Sequence, residues 1–309
     1  MISVIIIAYN RKKYIINAIN SALNQTLSKD KYEIIVIKNF NDNVIDKFIG
    51  DNNIINVYSS NKTVSGKISE ALKIARGDVI SFLEDDDLFF NNKLEYVYNL
   101  FKNNDNLAYY HNATQYINDY GNMINKIGTD PAFNISSMSI KKGILNIKIM
   151  NNINSAVDTI IYCIAKDSNK KIISNRKILT YYRLHTSASN LTGDIDSILS
   201  GKIKLFEFYV NSLMFTYNNL KSKSVKRICL NYIITFKMQL KILYSIAEMN
   251  QKIDIHPSDI GLWFLCPKYM GYRRKYIFKY IKIIEWLVFP VHMKKFFEGY
   301  NQKITSKLR

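Results

Sequence analysis

Four consecutive carboxylates, at residues 84–87, directly follow the apolar run 79–83. Charges of one sign only a few ångströms apart repel each other, which favours either a raised pKa or a bound cation. Glu84 and Asp86 lie two residues apart, so both are able to turn towards one point beyond the run. Oxygen ligands suit Mg²⁺ or Mn²⁺, which usually bring phosphate oxygens with them. Helix capping would account for one acid but not for four, so the cluster indicates a metal–phosphate site.

Two motifs that hold nucleotide phosphates in glycine-rich loops are missing from the sequence. No GxGxxG follows the first apolar run, which disfavours a dehydrogenase, and no GxxxxGK[ST] occurs, which excludes a P-loop NTPase. The remaining α/β alternative is a nucleotide-diphosphate site whose phosphates are held by a metal. The chemistry would then be an inverting displacement at a sugar carbon. A metal stabilises the departing diphosphate in such a reaction, and a carboxylate deprotonates the acceptor hydroxyl.

The elements that must position these acids alternate along the first hundred residues. Three- and four-residue apolar spacing predicts helices over 11–27 and 66–75. Strands are predicted at the apolar runs 2–8, 33–37, 54–58 and 79–83. This alternation predicts a doubly wound α/β domain, in which ligands bind beyond the carboxyl ends of the strands. The acidic run lies at one of those ends.

The middle and the end of the chain give different patterns. The stretch 112–131, which contains Gly and Asn, predicts loops or a hairpin, 157–165 predicts an apolar helix, and 178–182 predicts an edge strand. From about residue 200 the pattern changes to helices rich in Leu, Ile, Phe and Tyr with interleaved lysines. We therefore expect a first domain over 1–198 and a basic helical region over 199–309.

The positive charge of the chain is concentrated in its last third. Of a formal net charge of +18, residues 200–309 contribute +14, from 20 Lys and Arg against 6 Asp and Glu. Such asymmetry points to a polyanionic partner, either nucleic acid or an anionic membrane surface, with a solvated basic face as the plain alternative. No nucleic-acid-binding motif accompanies the charge, so we expect no nucleic acid partner.

A predicted helix over 272–289 favours the membrane surface. Lys275, Lys279, Lys282 and Glu285 recur on one helical face, while Trp286 and isoleucines lie elsewhere. Charges inside the run exclude a transmembrane span, and a basic helix that carries a Trp is typical of peripheral membrane binding. Packing against the first domain is the alternative, and the two are compatible.

Cysteine usage and the start of the chain indicate the compartment. The three cysteines are scattered without a CxxC pair, which argues against disulfides and zinc and fits a reducing environment. Met1 leads directly into an apolar strand without a basic segment, so no signal peptide is predicted. We therefore expect a cytoplasmic protein at the cytoplasmic face of the membrane.

An ordered set of short strings resembles family 2 glycosyltransferases, which have the GT-A fold and use nucleotide-sugar donors. The strings are SVIIIAYNR at 3–11, EIIVI at 33–37, ARGDVISFLEDDD at 75–87, AVDTIIY at 156–162 and YYRLHTSAS at 181–189. They cover roughly residues 1–190 in the family's order. The resemblance implies a GT-A-type mixed sheet in the first domain, with a C-terminal helical region after it.

The resemblance implies a nucleotide-binding role for residues after the first two strands. Ala8, Tyr9 and Arg11 would line the nucleotide pocket. The family commonly has two acids, Gly and Ser after the second strand, whereas this chain has Lys-Asn-Phe-Asn at 38–41. Asn39 would be able to hydrogen-bond a base edge there, but the usual uracil-reading carboxylate is absent.

The acidic run aligns with the DxD motif of the family. Glu84 stands where the family usually has its first Asp, and Asp86 is the expected ligand of Mg²⁺ or Mn²⁺. Glu84 would help to hold the metal and the donor. Asp85 or Asp87 would lie close to the ribose and the acceptor.

Three later residues complete the implied site. Asp158 falls where the family has its catalytic base, with capping of the following helix as the alternative. Arg183 and His185 match a YRxHxxS pattern at the diphosphate, and His185 is assigned to the metal. A plain structural histidine and an arginine paired with a surface acid are the alternatives.

The resemblance implies a metal-dependent, inverting transferase of a hexose-type sugar. The donor would be a nucleotide-diphosphate sugar, and the acceptor a hydroxyl of a lipid-linked or surface glycan. The alternative function is a non-catalytic GT-A-like scaffold or membrane-associated partner of a true transferase, which the altered segment 38–41 favours.

Overall fold

The computed structural model describes residues 1–9, 11–185, 195–247, 249, 251, 253–255 and 258. The chain divides into two compact units, Met1–His185 and Thr186–Arg309. The predicted helix over 272–289 lies outside the described residues.

The first unit contains a nine-stranded mixed sheet. The strands are β1 Ile2–Ala8, β2 Tyr32–Lys38, β3 Ile55–Tyr58, β4 Val79–Glu84, β5 Leu88–Phe89, β6 Leu107–Ile117, β7 Met123–Gly128, β8 Met138–Lys141 and β9 Lys171–Arg183. Their order is β3-β2-β1-β4-β8-β6-β9-β5, with β7 paired to β6. Strands β1 to β4 are parallel, β8 runs antiparallel between β4 and β6, and β9 runs parallel to β6. The predicted mixed α/β sheet is confirmed.

Helices connect these strands and follow them. They are α1 Ile15–Leu23, α2 Asn43–Asp51, α3 Val64–Ile74, α4 Lys93–Lys102, α5 Ile147–Asn151, α6 Val157–Asp167, α7 Ile195–Asn219 and α8 Lys223–Ile246. Short 3₁₀ turns lie at Lys29–Lys31, Ile135–Ser137 and Lys142–Ile144. Helix α1 is shorter than the predicted 11–27.

Strand β1 lies at the centre of the core. All seven of its residues are buried, as are those of β2, because helices cover both faces of a parallel sheet. On α1 the buried residues recur at helical spacing, at Ile15, Ala18, Ile19 and Ala22. This packing fixes the carboxyl end of β1 beside that of β4, where the acidic residues begin.

The turn from α3 into β4 packs directly on the start of β1. Gly77 N–H donates to Ser3 Oγ at 2.8 Å, and Ser3 Oγ donates to the buried Glu33 at 2.6 Å. Glu33 also accepts from the Arg76 backbone at 2.6 Å and from Arg76 Nε at 2.8 Å. Burial opposes ionisation of Glu33, but these hydrogen bonds outweigh it and lower its pKa. A Cβ on Gly77 would lie 2.4 Å from Ser3 N, so only glycine fits there.

The predicted strand over 178–182 is confirmed, but its predicted position at the edge of the sheet is wrong. Strand β9 extends over thirteen residues and is bordered on both sides, because Thr180 lies opposite Thr114 of β6 while Tyr181 lies opposite Leu88 of β5. Its first half alternates irregularly between exposed and partly buried residues, so the sequence shows no strand period there. The hairpin alternative for 112–131 is confirmed by β6 and β7.

The described part of the second unit consists mainly of α7 and α8. Apolar residues from the two helices form one core, which contains Leu199, Ile203, Ile234, Met238, Leu240 and Leu243. Among the described residues, no helix combines the length and the apolar character that crossing a membrane would require.

Candidate functional site

The acidic turn, residues 84–87, connects the carboxyl end of β4 to β5. Glu84, Asp86 and Asp87 each offer an oxygen, and these three oxygens lie within 4.8 Å of one another. Asp85 is not one of these clustered donors, and it accepts from Tyr9 N at 3.2 Å. The strand end therefore gathers three of its four acids around one point, as the sequence predicted for Glu84 and Asp86.

The two oxygens of the Asp87 carboxylate differ in their surroundings. Oδ1 accepts from Arg183 N at 2.9 Å, whereas the buried Oδ2 has no hydrogen-bond partner within the described part of the chain. Burial raises the pKa of Asp87 and of Glu84 well above the usual range, and the neighbouring carboxylates raise both further. A buried polar atom without a partner is rare. Three oxygen donors with one such atom fit Mg²⁺ or Mn²⁺.

Arg11 faces the acidic turn from the loop after β1. Its Nη2 lies 2.5 Å from Asp85 Oδ1, and its Nη1 lies 2.7 Å from Asp86 Oδ2. Burial raises the pKa of Asp85 to about 6, although Arg11 opposes the shift. For Asp86, burial also opposes ionisation, but the hydrogen bond from His185 and the charge of Arg11 hold its pKa below the usual value. His185 and Arg11 together thus favour the ionised form of Asp86.

His185 lies beside the same carboxylate. Its Nε2 is 2.6 Å from Asp86 Oδ2 and 3.4 Å from Arg11 Nη1, and its ring packs on Tyr14 at 5.3 Å. The structure therefore brings His185 to the acidic turn, as the sequence predicted. It contacts a proposed ligand and is not one of the three clustered donors, so a direct bond to metal stays a prediction.

Arg183 is buried and forms hydrogen bonds with the backbone of the acidic turn. Its Nε donates to the Asp86 carbonyl at 2.9 Å, and its Nη1 donates to the carbonyls of Asn118 and Asp119 at 3.2 and 3.0 Å. The alternative of pairing with a surface acid is wrong, because its guanidinium bonds to backbone carbonyls inside the fold. Contact with a diphosphate stays a prediction.

Asp158 is the second residue of α6, and its carboxylate is held by two backbone amides. Oδ1 accepts from Thr159 N at 2.7 Å and Oδ2 from Asn134 N at 3.3 Å. Burial raises its pKa to about 6. Asp158 is not the N-cap residue, because Ala156 occupies that position in a left-handed conformation with φ +55°. The structure thus places a carboxylate of raised basicity in the first turn of α6, where it accepts from one amide of that turn.

The segment 134–137 connects Asp158 to the acidic turn. Asn134 donates its backbone N–H to Asp158, and its side chain accepts from Ser136 N at 2.9 Å. Ser136 Oγ in turn accepts from Glu84 N at 3.0 Å. Asn134 has φ +64°, a conformation that asparagine tolerates better than most residues. The base candidate and the metal candidates are therefore positioned by one short segment.

The predicted nucleotide side of the site lies at the ends of β1 and β2. Ala8 is fully buried, whereas the next side chain, Tyr9, is 46% exposed. Asn39 is half-buried and follows Lys38, whose buried ammonium pairs with Asp46 at 2.7 Å and donates to the Phe40 carbonyl at 2.8 Å. A buried lysine with its own counter-ion thus stands where the resemblance leads us to expect an acid.

The comparisons with known proteins decide the family. Residues 3–163, more than half of the chain, match the model of Glycosyl transferase family 2. The chain belongs to glycosyltransferase family 2. The predicted family is confirmed.

The regions of similar proteins that match this family 2 chain cover only part of each protein. An uncharacterized glycosyltransferase of Rickettsia bellii (strain RML369-C) is 27% identical over 263 residues, 79% of this chain and 36% of that protein. The poly(ribitol-phosphate) beta-N-acetylglucosaminyltransferase TarP of Staphylococcus aureus (strain N315) is 30% identical over 109 residues, 33% of each chain. The matched region therefore spans about a third of the length of each of these two curated relatives.

A solved structure confirms the GT-A fold of this family 2 glycosyltransferase. The mannosyltransferase PcManGT from Pyrobaculum calidifontis, in complex with GDP-Man and Mn²⁺, superposes with a TM-score of 0.58. It is 11% identical, and the match covers 94% of our chain and 85% of that chain. At this identity the likeness concerns the fold alone.

Two buried lysines near the site were not predicted from the sequence of this family 2 chain. Lys93 donates to the Ser136 carbonyl and to Thr180 Oγ1, and burial lowers its pKa well below the usual value while Asp87 opposes the shift. The ammonium of Lys67 lies 4.7 Å above the ring of Tyr9. A lysine among polar neighbours shows no sequence pattern that predicts burial. The burial of these two lysines is therefore seen only in the structure.

Proposed function

We propose that the protein transfers a hexose-type sugar from a nucleoside-diphosphate sugar to an acceptor hydroxyl, with inversion at the anomeric carbon. The observation that carries this proposal is the cluster of three carboxylate oxygens within 4.8 Å of one another at the end of β4. In a family 2 chain, this is where a divalent cation and the donor diphosphate would bind. Asp158, held by the same 134–137 segment, supplies the base.

In this proposal, one group of residues would bind the donor and another residue would act on the acceptor. Asp86 and Asp87, with Glu84, would hold Mg²⁺ or Mn²⁺, which when bound offsets charge on the leaving diphosphate. Asp158 takes the proton of the acceptor hydroxyl as its oxygen bonds to the anomeric carbon and the bond to the diphosphate breaks. A pKa of about 6 leaves Asp158 ionised at neutral pH and more basic than an ordinary carboxylate. Tyr9 and Asn39 would contact the nucleoside.

A polyanionic or lipid-linked glycan is the proposed acceptor class. The TarP relative is named for poly(ribitol-phosphate), a polyanion. Residues 200–309 of this chain have a net charge of +14, which would attract such an acceptor or an anionic membrane surface. We propose a peripheral location at the cytoplasmic face of a membrane on the same ground.

The second candidate is a GT-A-like partner of another transferase that has no catalysis of its own. The pair of Lys38 with Asp46 favours it, because a buried lysine stands where a base-reading acid is expected. Intact Asp86 and Asp158 favour the enzyme.

Turnover of the donor tests the proposal. Purified full-length protein with Mn²⁺ should release nucleoside diphosphate from at least one member of a panel of uridine and guanosine diphosphate sugars. Asp158→Asn should reduce the rate by about 10²-fold or more, because it removes the base and keeps the shape. Asp167→Asn, at the other end of α6, is the matched control and should leave the rate unchanged. No release from any donor, or equal rates for both variants, would reject the proposal.

A further inference from the structure

Arg11 places its positive charge against two carboxylates of the acidic turn, one of which belongs to the three-oxygen cluster. Its two terminal nitrogens lie 2.5 Å from Asp85 and 2.7 Å from Asp86. The buried carboxylates of the turn need compensating positive charge, and burial strengthens that need. The side chain of Arg11 is 33% exposed, whereas that of Asp85 is 1% exposed. The arginine is therefore the more solvent-accessible partner of this pair.

A divalent cation and the guanidinium would compete for the same carboxylate. Asp86 belongs to the three-oxygen cluster, and its Oδ2 already contacts both Arg11 Nη1 and His185 Nε2. A cation about 2.1 Å from a carboxylate oxygen of Asp86 would lie within a few ångströms of the guanidinium. At that separation two positive charges repel strongly in a partly buried site.

We propose that Arg11 is an exchangeable counter-ion of the donor site. It neutralises Asp85 and Asp86 in the metal-free protein, leaves Asp86 when the divalent cation binds, and moves its guanidinium onto the diphosphate that binds with the cation. Arginine suits this exchange, since the geometry of its planar guanidinium matches both carboxylate and phosphate oxygens. Asp85 retains the Tyr9 N–H after the arginine has left. The inference rests on the proposed function, because it assumes a cation and a diphosphate at the acidic turn.

The exchange predicts opposite effects of one substitution on two binding constants. Arg11→Met should tighten Mn²⁺ binding to the nucleotide-free protein by at least about tenfold, because the competing charge is gone. In saturating Mn²⁺ it should weaken binding of uridine or guanosine diphosphate by at least about tenfold, because the diphosphate loses a bidentate partner. Isothermal titration with Mn²⁺ alone, and then with each diphosphate, measures both constants at one fixed pH.

Lys12→Met is the matched control. Lys12 directly follows Arg11 in the chain. It pairs with Asp42 at 2.9 Å instead of with the acidic turn. The Lys12→Met substitution removes one positive charge from the same loop, so it measures any long-range effect of net charge. We expect it to change both constants less than about twofold at physiological salt.

Three outcomes would overturn the exchange. Equal shifts in Arg11→Met and Lys12→Met would assign the effect to net charge. Weaker Mn²⁺ binding by Arg11→Met would mean that the arginine orders the ligands instead of competing with metal. Absence of Mn²⁺ binding in every variant, together with donor turnover by the wild type, would make Arg11 a permanent replacement for the metal while the proposed function stands. If Arg11→Met fails to fold by circular dichroism, Arg11→Lys tests the same point, with a smaller shift of each constant in the same direction.

Discussion

The surroundings of Asp158 raise the basicity of its carboxylate. Burial raises its pKa to about 6, and the amide hydrogen bonds from Thr159 and Asn134 limit the rise. A base of this strength is still ionised at pH 7 but holds a proton more firmly than an exposed aspartate. Its environment thus matches the role that we propose for it.

The pH dependence of turnover follows from that pKa. The reaction needs the ionised form of Asp158, so protonation on acidification should stop it. We expect kcat/KM for the donor to fall about tenfold for each pH unit below about pH 6, because kcat/KM reports ionisation in the ligand-free protein. Measurement of kcat/KM from pH 5 to pH 8 at saturating Mn²⁺ checks this, with folding monitored by circular dichroism across the range. A kcat/KM that stays constant down to about pH 5 would remove Asp158 from the proton transfer.

At the scale of single residues, the sequence indicated which residues belong to the candidate site better than it indicated what they contact. The acids of the turn were identifiable because they follow a buried strand, and Asp158 because it matches a family string. Three other features were not identifiable from the sequence, because each depends on residues distant in the chain. They are the unpartnered oxygen of Asp87, the pairing of Arg11 and the burial of Lys93. Contacts between residues distant in the chain produce no local sequence pattern.

At the scale of elements, the turn from α3 into β4 fixes the strand that carries the site. Gly77 lies against the backbone of β1, and the Ser3–Glu33–Arg76 hydrogen bonds surround it. Both strands would have to move apart to admit a side chain. The position of the acidic turn at the far end of β4 depends on this packing.

Two glycine substitutions test that dependence. Gly77→Ala should lower the free energy of unfolding by on the order of 2 kcal/mol or more, because its Cβ would lie 2.4 Å from a backbone nitrogen. Gly50→Ala, near the end of α2 with nothing within 4 Å of its Cβ, is the control. It should be neutral or should stabilise the protein by up to about 1 kcal/mol. Urea denaturation measures both, and similar stabilities for the two variants would contradict the close packing.

Regular elements were predictable where burial is continuous or periodic. Strands β1 and β2 appear in the sequence as unbroken apolar runs, and α1 shows helical spacing. The 134–137 segment has neither signal, although it holds both Glu84 and Asp158. Strand β9 was predicted only in part because its first half shows no regular period. Irregular segments that position a site by hydrogen bonds are thus found only in the fold.

At the scale of the whole molecule, the charge is divided unequally along the chain. Residues 200–309 hold a net charge of +14, and α7 and α8 contain Lys202, Lys204, Lys223, Lys226, Arg227, Lys237 and Lys241. Each basic residue near an anionic bilayer contributes about 1 kcal/mol, reduced by salt over a Debye length. A polyanionic glycan would be attracted in the same way.

Vesicle sedimentation tests the membrane proposal. The full-length protein should sediment with vesicles that contain phosphatidylserine, and much less with phosphatidylcholine alone. Raising the salt should weaken the electrostatic part of the binding. Equal recovery with the two vesicle types, or recovery with neither, would leave the basic region to a polyanionic acceptor or to solvent.

The central claim is that the acidic turn binds a divalent cation together with the donor diphosphate. The most direct measurement is anomalous diffraction from crystals grown with Mn²⁺ and a nucleoside diphosphate, either of uridine or of guanosine. We predict one anomalous peak about 2.2 Å from carboxylate oxygens of Asp86 and Asp87, in contact with the diphosphate. A bound diphosphate with no manganese peak at this turn, or a manganese peak elsewhere in the protein, would contradict the account.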